Sequence, residues 1–312
     1  MTIEPINESE MVDLDISSSG KVLPPKTEMI ALIDADTAIF GACLSSEYEV
    51  ELLPRGFYTD EEWLEMTVTD ELTIFDEEAG VLYKLDLHAA MTKAIDKLQD
   101  MADNWACKDW EAHFTAGRMS FRYTQVTPTY KENRTLDSTK RAPAGLMALK
   151  KEIVKQYPEK AFIWTEYEAD DTVVAKKKAH PSKYLLCAVD KDVLYTLPGT
   201  HLNYYSSSLY GIEPKLVEVD YWDAIKHHYV QTLTGDTGDN VIGLHRVGKK
   251  TAEKMLAGAK TEAELWEKVV KAYESKGRDV IDAIINMRLV NMHQVTYKDG
   301  EFSLELWTPK EN

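Results

Sequence analysis

The residues best suited to chemistry are three carboxylates within four positions, Glu168, Asp170 and Asp171, where an apolar segment turns into a helix. Glu168 and Asp171 are three residues apart and share a helix face, whereas Asp170 points roughly 100° away from Asp171. The partial charge of a helix N-terminus favours acids but cannot offset three of them. Two interpretations follow: a solvated, acid-rich first turn, which is common in helices, or a site that binds a metal ion.

Further acids stand at the ends of apolar segments that have the pattern of buried parallel strands. The segments and their acids are residues 29–33 with Asp34, residues 161–165 with Glu168, and residues 184–189 with Asp190 and Asp192. Residues two apart in an extended chain face the same way, so Asp190 and Asp192 can address one ion. Open α/β sheets have their sites at the carboxyl ends of strands. Because solvated acids have no reason to recur there, the pattern favours a metal site.

A glycine-rich loop at residues 231–252 adds acids, basic residues and tight turns. Asp236 and Asp239 would be within reach of a metal if the loop packs against the sheet. Gly248 precedes a helix whose first amide groups could hold a phosphate. Taken alone, such glycines are more typical of ordinary turns. The glycines and basic residues of the loop are Gly235, Gly238, Gly243, Gly248, Arg246, Lys249, Lys250 and Lys254.

A second basic stretch, residues 130–155, contains seven basic residues and three acids. It is a candidate for binding phosphate. A solvated helix face with a long loop would explain the same composition equally well.

The formal net charge of -17 would argue against a nucleic-acid partner only if it were evenly spread. Residues 1–28 contain six acids and two lysines, and residues 56–83 contain nine acids and no Lys or Arg. Outside these stretches and the eight clustered carboxylates, the chain is slightly basic. The three cysteines are far apart, which predicts neither a disulfide framework nor a thiolate metal site. No apolar run approaches the roughly 20 residues of a membrane span, so an intracellular protein is expected.

The elements that position these residues alternate as in an α/β protein. Apolar residues at the helical period predict an amphipathic helix over residues 86–105, and a strand follows at 110–115. A later helix places Leu146, Leu149, Ile153 and Tyr157 on one side. Residues 1–27 are predicted to be a disordered acidic leader, and residues 47–83 a surface insertion.

The C-terminal part is predicted to contain helices at residues 263–273 and 279–289, followed by a hairpin that turns at Asp299-Gly300. His227 and His228 lie next to each other on an apparent helix, so they point to different sides. We therefore interpret this pair as structural.

Five motifs together resemble those of the 5′-nuclease superfamily, which includes flap endonucleases, phage 5′→3′ exonucleases and the N-terminal domain of bacterial DNA polymerase I. They occur in the family's order and spacing between about Met29 and Leu256. The motifs are the strand ending in Asp34, Tyr130-Lys131-x-Asn133-Arg134, Glu168-Ala169-Asp170-Asp171, Val189-Asp190-Lys191-Asp192, and Gly235-Asp236-x-x-Asp239-Asn240 followed by Gly243 and Gly248.

The resemblance implies an α/β nuclease core of the PIN-like type over residues 28–220, with a parallel sheet flanked by helices. It further implies a helical arch at about residues 125–158. Residues 221–312 would form a helix–three-turn–helix DNA-binding subdomain and a C-terminal segment.

The resemblance also implies two divalent ions, Mg²⁺ or Mn²⁺. Ligation by oxygen alone, with no Cys or His in the motifs, argues against zinc. The first ion would be held by Asp34, Glu168, Asp170 and Asp171, and the second by Asp190, Asp192, Asp236 and Asp239. Lys131 and Arg134 would stabilise charge on the scissile phosphate, and Tyr130 would be available to stack on the terminal base. Gly243, Arg246, Gly248, Lys249 and Lys250 would contact the duplex backbone, and K⁺ would bind main-chain carbonyls of the same loop.

The implied function is that of a metal-dependent 5′→3′ exonuclease or flap endonuclease, monomeric and cytoplasmic. Its substrate would be duplex DNA, a 5′ flap or a 5′ end, or the RNA strand of a hybrid. Two ions supply the activated water and the charge stabilisation that phosphodiester hydrolysis needs.

One departure from the family pattern concerns the first ion. Family members usually have an Asp just after the second strand, near residues 114–117, whereas this chain has no acid between Glu111 and Glu132. Either fewer carboxylates hold the first ion, or Asp36 or water compensates. A cleavage-deficient, structure-specific DNA-binding protein is therefore an alternative. A small PIN-type endoribonuclease is a third, against which the loop at residues 235–252 argues.

Overall fold

The computed structural model describes residues 25–67, 69–76, 79–135 and 141–309, so most of the predicted acidic leader lies outside the described ranges. The strands are β1 (Ile30–Asp34), β2 (Glu47–Val50), β3 (Thr73–Asp76), β4 (Val81–Leu85), β5 (Asp109–Thr115), β6 (Ala161–Trp164), β7 (Tyr184–Ala188), β8 (Gly199–Asn203), β9 (Lys215–Val219), β10 (Gly235–Asp236), β11 (Val241–Ile242), β12 (Val295–Lys298) and β13 (Glu301–Leu304). The helices are α1 (Asp36–Leu44), α2 (Asp60–Thr67), α3 (Leu87–Asn104), α4 (Leu146–Gln156), α5 (Ala169–Ala179), α6 (Lys191–Leu194), α7 (Tyr221–Thr234), α8 (Lys249–Leu256), α9 (Glu262–Ser275) and α10 (Val280–Val290).

A six-stranded sheet in the order β6-β5-β1-β7-β8-β9 forms the centre of the molecule. Its strands are parallel except for β9, which pairs antiparallel with β8. Along β1, Ala31 and Ile33 pack with residues of α1, α3 and α4, whereas Leu32 packs with residues of α5 and α6. Alternate side chains of a strand point to opposite faces, so both faces of the sheet are buried under helices. The predicted α/β fold class is confirmed.

The insertion predicted at residues 47–83 is a small antiparallel sheet in the order β2-β4-β3, together with α2. Arg141, which precedes α4, donates two hydrogen bonds of 2.8 and 2.9 Å to the carboxylate of Glu47 in β2, and so connects the insertion to the main fold. The same guanidinium lies over the ring of Tyr83, 3.7 Å from the ring centroid.

The C-terminal helices α7 to α10 surround a hydrophobic core of their own, which includes Leu233, Leu265 and Tyr273. The hairpin β12–β13 forms at the predicted turn, where Asp299 and Gly300 both have positive φ. This hairpin packs against α5, and the Phe302 ring lies 4.8 Å from the Trp164 ring. The end of the chain therefore returns to the sheet.

The described residues of the predicted arch that precede α4 contain little regular helix. It has a π turn at Arg122–Val126 and a 3₁₀ turn at Glu132–Thr135, and residues 136–140 lie outside the described ranges. Leu149 and Ile153 of α4 are buried in the main core. A helical arch stays a prediction.

The sequence predicted neither a membrane span nor a disulfide framework. Within them no helix is both long and apolar enough to cross a bilayer. The cysteines Cys43, Cys107 and Cys187 are buried and unpaired, as expected for a chain without a disulfide framework.

Candidate active site

The sheet brings acids from separate parts of the chain to its carboxyl edge, as predicted. Asp34 ends β1, Glu168 is the N-cap of α5, and Asp190 is the N-cap of α6 directly after β7. Burial, together with the charges of Asp36 and Asp190 and against the opposing charge of Lys131, raises the pKa of Asp34 to about 8. A cation bound beside Asp34 would favour its ionised form.

Glu168, Asp170 and Asp171 form the one group in the described ranges that places three candidate ligand atoms within 4.8 Å of one another. Glu168 and Asp171 are buried and form a capping box at the start of α5. Burial, followed by the charges of Asp171 and Glu168, raises the pKa of Asp170 well above its ordinary value. A solvated first turn is therefore excluded, and this group can hold a divalent cation.

A buried arginine that was not among the predicted site residues neutralises part of this group. Arg122 donates to both oxygens of Asp171, at 2.6 and 2.7 Å, and to Glu168 Oε2 at 3.2 Å. Its Nε donates to the carbonyl oxygen of Leu289 at 2.8 Å. Burial lowers the pKa of Arg122, but Asp171 and the other neighbouring acidic groups together outweigh this effect and the pKa is raised, so the guanidinium stays charged. The Asp171 carboxylate thus forms a buried ion pair with Arg122 through both of its oxygens.

Lys131 and Arg134, which were predicted to contact the scissile phosphate, pair with carboxylates in the structure. Lys131 Nζ pairs with Glu168 and lies 3.6 Å from Asp239. Arg134 pairs with Asp239, and its Nε donates to the carbonyl oxygen of Gly238 at 3.2 Å. Burial lowers the pKa of Lys131, but Glu168 and Asp239 raise it by more, so the ammonium stays protonated. Both cations therefore lie beside the carboxylates of Glu168 or Asp239.

Tyr130 differs from the prediction. Its side chain is only 5% exposed, and its hydroxyl lies 2.8 Å from Glu168 Oε2 and 2.9 Å from Asp239 Oδ2. Burial and the charge of Glu168 raise the pKa of Tyr130 well above its ordinary value, so the hydroxyl remains a donor. The ring is therefore not presented to a base. Instead, the side chain connects the two groups of acids.

Two predicted motifs, about 100 residues apart in sequence, are docked on each other by hydrogen bonds. These run from Lys131 N to Asp239 O (3.0 Å), from Asn133 Nδ2 to Thr237 O (2.6 Å) and from Asn240 Nδ2 to Thr129 O (2.8 Å). Lys131 and Asn240 both have left-handed backbone conformations, with φ of 56° and 58°. Such strain in non-glycine residues persists only where the surroundings fix it. The basic segment and the acidic loop thus form one unit.

Asp36 and Lys150 lie beside Thr115, next to the position at which an acid was expected from the resemblance. The carboxylate of Asp36 accepts from the Thr115 amide at 3.2 and 3.3 Å, next to Ala116. Lys150 Nζ is 2.7 Å from Asp36 Oδ1 and donates to the Thr115 carbonyl oxygen at 2.7 Å. Lys150 is only 6% exposed. Asp36 is therefore in position to compensate for Ala116, but a buried ammonium already neutralises it.

The second predicted group of acids lies around α6 and the β10–β11 loop. Asp190 Oδ1 accepts from the Asp192 amide at 2.8 Å, and Asp236 Oδ1 accepts from the Gly238 amide at 2.8 Å. Burial raises the pKa of Asp190; the Asp192 amide lowers it, and the charges of Asp192, Asp239 and Asp236 raise it again. The four acids therefore share one electrostatic environment.

The two adjacent histidines of α7 have different surroundings. His228 is buried between Thr196 Oγ1 (2.8 Å) and the carbonyl oxygen of Val290 (3.2 Å), so its predicted structural role is confirmed. His227 Nε2, by contrast, lies 3.3 Å from Asp192 Oδ1. His227 therefore borders the second group of acids, which its position in sequence did not indicate.

Apart from Tyr130, the predicted DNA-binding residues lie in the loop between α7 and α8 and in the first turn of α8. Arg246, Lys249 and Lys250 are exposed, and Gly248 is the N-cap of α8. The start of a helix can hold a phosphate oxygen, so the arrangement suits a nucleic-acid backbone. Contact of these residues with a duplex stays a prediction.

Gly243 is required by close packing of the main chain. A Cβ at Gly243 would lie 2.1 Å from the carbonyl carbon of Thr234, and one at Gly235 would lie 2.3 Å from the Gly243 amide nitrogen. We expect Gly243→Ala to lower the free energy of unfolding by about 1–3 kcal/mol through overpacking. The control is Gly248→Ala, because a Cβ there meets nothing within 4 Å. Urea unfolding of both variants tests this, and equal midpoints would contradict it.

The fold of the chain is similar to that of several solved structures. No protein-family model matches the chain. The chain is similar to the bacteriophage T5 D15 protein co-crystallised with metal ions (TM-score 0.48, 17% identity, 65% of this chain and 83% of that chain). It is also similar to the T5 5′-exonuclease with bound zinc ions (0.46, 16%, 65% and 81%) and to a bacteriophage T5 flap endonuclease variant in complex with DNA and metal ions (0.41, 17%, 65% and 90%). At this identity the function has to be inferred from the chain's own residues.

Proposed function

We propose that the chain is a divalent-metal-dependent nuclease that cuts DNA as a 5′→3′ exonuclease or flap endonuclease. The observation that supports this most is the position of Lys131, which lies between Glu168 and Asp239 at the carboxyl edge of the sheet. Acids that can hold metal ions and cations that can meet a phosphate thus converge at one place. Bound divalent ions supply an activated water and stabilise charge on the attacking and leaving oxygens.

The donor set fits hard divalent cations such as Mg²⁺ or Mn²⁺, because buried carboxylates whose pKa values are raised favour a bound cation. We assign Asp34, Glu168, Asp170 and Asp171 to one ion and Asp190, Asp192, Asp236 and Asp239 to the other. Lys131 and Arg134 would turn from their carboxylate partners to the phosphate once ions neutralise the acids. Arg246, Lys249 and Lys250 would hold the duplex through its phosphates. The RNA strand of a hybrid as a substrate, K⁺ bound to carbonyls of the same loop, and a monomeric intracellular state are part of this proposal.

One gel tests the proposal. A 5′-flap substrate and a blunt duplex, each labelled at the 5′ or the 3′ end in turn, are incubated with and without Mg²⁺. We expect short 5′-labelled products only when the metal is present, and shortening of the 3′-labelled strand from its 5′ end. Absence of any Mg²⁺- or Mn²⁺-dependent product would contradict the proposal.

A cleavage-deficient DNA-binding protein is the second candidate. It is favoured by Ala116 together with Lys150, which neutralises Asp36, and by Arg122, which pairs with both oxygens of Asp171. Binding of the flap substrate without metal-dependent cleavage would select it. A PIN-type endoribonuclease is disfavoured by the exposed Arg246, Lys249 and Lys250 before and at the start of α8. Cleavage of single-stranded RNA in preference to duplex DNA would select that candidate.

Lys131→Ala is expected to slow the chemical step by about 100-fold, because one preorganised positive charge at a reacting phosphate contributes that much or more. The measurement is the single-turnover cleavage rate with enzyme in excess over a flap substrate. The control is Lys271→Ala, since Lys271 is an exposed residue of α9 that is 3.9 Å from Glu267. Equal single-turnover rates for the two variants would contradict the role of Lys131.

A further inference from the structure

We propose that His227 and Asp192 bind the same divalent ion, which makes the second metal position a mixed nitrogen and oxygen site with a preference for Mn²⁺ over Mg²⁺. The inference rests on the proposed function, because it assumes that Asp192 holds an ion. It differs from the oxygen-only ligand set predicted from the motifs.

The first observation is a pair of buried polar atoms that face each other without a hydrogen bond. His227 Nε2 and Asp192 Oδ1 lie 3.3 Å apart. In the described part of the chain, both atoms are buried and neither has a hydrogen-bond partner. The Asp192 residue is only 7% exposed. Buried polar atoms are almost always paired, because leaving them unpaired costs free energy. Both atoms therefore require a partner, which a shared cation would provide.

The separation of the two atoms suits ligands of one ion. Neighbouring ligands of an octahedral ion, each roughly 2.1 Å from the metal, stand about 3 Å apart. The 3.3 Å between Nε2 and Oδ1 is close to this value. Although a ring N–H and a carboxylate at this distance could pair directly, the two atoms do not have hydrogen-bond geometry. The separation therefore fits two donors to one shared ion.

The imidazole of His227 and the main chain of Asp192 are both held by neighbouring groups. The imidazole of His227 packs on the Tyr195 ring, with centroids 6.1 Å apart and planes inclined by 32°. Tyr195 directly follows α6, the helix that contains Asp192. The Asp192 amide donates to Asp190 Oδ1 at 2.8 Å, which fixes the start of that helix. A preorganised ligand pair loses little conformational entropy when the ion binds.

An imidazole ligand changes which ion is preferred. Mg²⁺ takes oxygen ligands and gives up its water reluctantly. Imidazole ligation favours first-row transition metals, and Mn²⁺ is the ion of that series that also suits the surrounding carboxylates. The site should consequently bind Mn²⁺ more tightly than Mg²⁺, and His227 should account for the difference.

The test is pulsed EPR of the full chain loaded with two equivalents of Mn²⁺. We expect nitrogen coupling to bound Mn²⁺ in the wild type, its loss in His227→Phe, and its retention in His88→Gln, which changes an exposed histidine of α3. Titration should show Mn²⁺ affinity about tenfold lower in His227→Phe. His227→Asp should keep Mn²⁺ binding but lower the ratio of Mn²⁺ to Mg²⁺ affinity.

Bound Mn²⁺ without nitrogen coupling in the wild type would overturn this inference alone, because His227 would then act only as a neighbour of Asp192. Persistence of the coupling in His227→Phe would also overturn it. If the wild type binds no Mn²⁺ at all, both the inference and the proposed metal-dependent function fail. The wild-type spectrum does not depend on how well any variant folds, so the inference stays open to refutation even if His227→Phe is unstable.

Discussion

Asp192→Ala is expected to reduce Mg²⁺-dependent cleavage of a 5′-labelled duplex by about 1000-fold or more. Asp192 is a buried acid of α6 at the carboxyl edge of the sheet, and the ion that it is proposed to hold contributes several kcal/mol of transition-state stabilisation. Each 1.36 kcal/mol of lost stabilisation lowers the rate tenfold, so losing this ion removes nearly all activity.

Binding of the same duplex should persist in Asp192→Ala. Duplex affinity depends mainly on contacts between basic residues and phosphates, and the exposed Arg246 and Lys249 are not altered. Removing one carboxylate also lessens repulsion of the substrate. Fluorescence anisotropy measures binding, and Asp223→Ala serves as control because Asp223 is an exposed acid paired with Lys226 at 2.7 Å. Activity of Asp192→Ala equal to that of this control would refute the assignment.

The parts of the fold and site that could be predicted are those that depend on local pattern. Apolar strands followed by acids, as at Asp34 and Asp190, specify a parallel sheet with acids at one edge, because parallel strands end on the same side. The amphipathic helix predicted over residues 86–105 is α3, which begins at Leu87 with Asp86 as its N-cap. The apolar residues of the insertion at 47–83 follow no single period, because its strands are only four or five residues long and lie mostly at the surface.

The parts that could not be predicted are the counter-charges. Arg122 and Asp171 are 49 residues apart, and Lys150 and Asp36 are even further apart, so no spacing within one element relates them. Lys150 belongs to the basic stretch at residues 130–155, whose composition is also typical of a solvated helix face, yet the Lys150 side chain is buried. Tyr130 was found through its motif, but its burial depends on the loop that carries Asp239, more than 100 residues later. Long-range pairing of charges has no periodic signature in a sequence.

The cations of the site fall into two classes that suggest how it works. Arg122 is fully buried and is hydrogen-bonded to Asp171, Glu168 and the main chain, so it is a fixed part of the fold. The Lys131 side chain is partly exposed, and only its flexible ammonium end contacts the carboxylates of Glu168 and Asp239. When ions enter, Lys131 can leave these acids for a phosphate, whereas Arg122 cannot move without exposing a buried charge. Exchange of partners should therefore be confined to Lys131 and the more exposed Arg134.

Arg122→Met is expected to lower the free energy of unfolding of the metal-free protein by about 3–5 kcal/mol, because it leaves Asp171 buried without its partner. Urea unfolding followed by circular dichroism measures the change. The control is Lys226→Met, which breaks an exposed pair with Asp223 and should cost no more than about 1 kcal/mol. An unfolding midpoint of Arg122→Met equal to that of the control would contradict the structural role of the buried pair.

The double variant Arg122→Met/Asp171→Leu separates two contributions to the free energy of unfolding. One is the cost of burying the Asp171 carboxylate without a partner, and the other is the net stabilisation by the ion pair. Replacing both partners removes the unpaired charge, so the double variant should be more stable than Arg122→Met alone. Mg²⁺ provides a further distinction. If Arg122 keeps the oxygens of Asp171 from an ion, Arg122→Met frees them, and Mg²⁺ should raise its unfolding midpoint by more than that of the wild type. An equal rise in both would mean that Arg122 does not keep the oxygens of Asp171 from an ion.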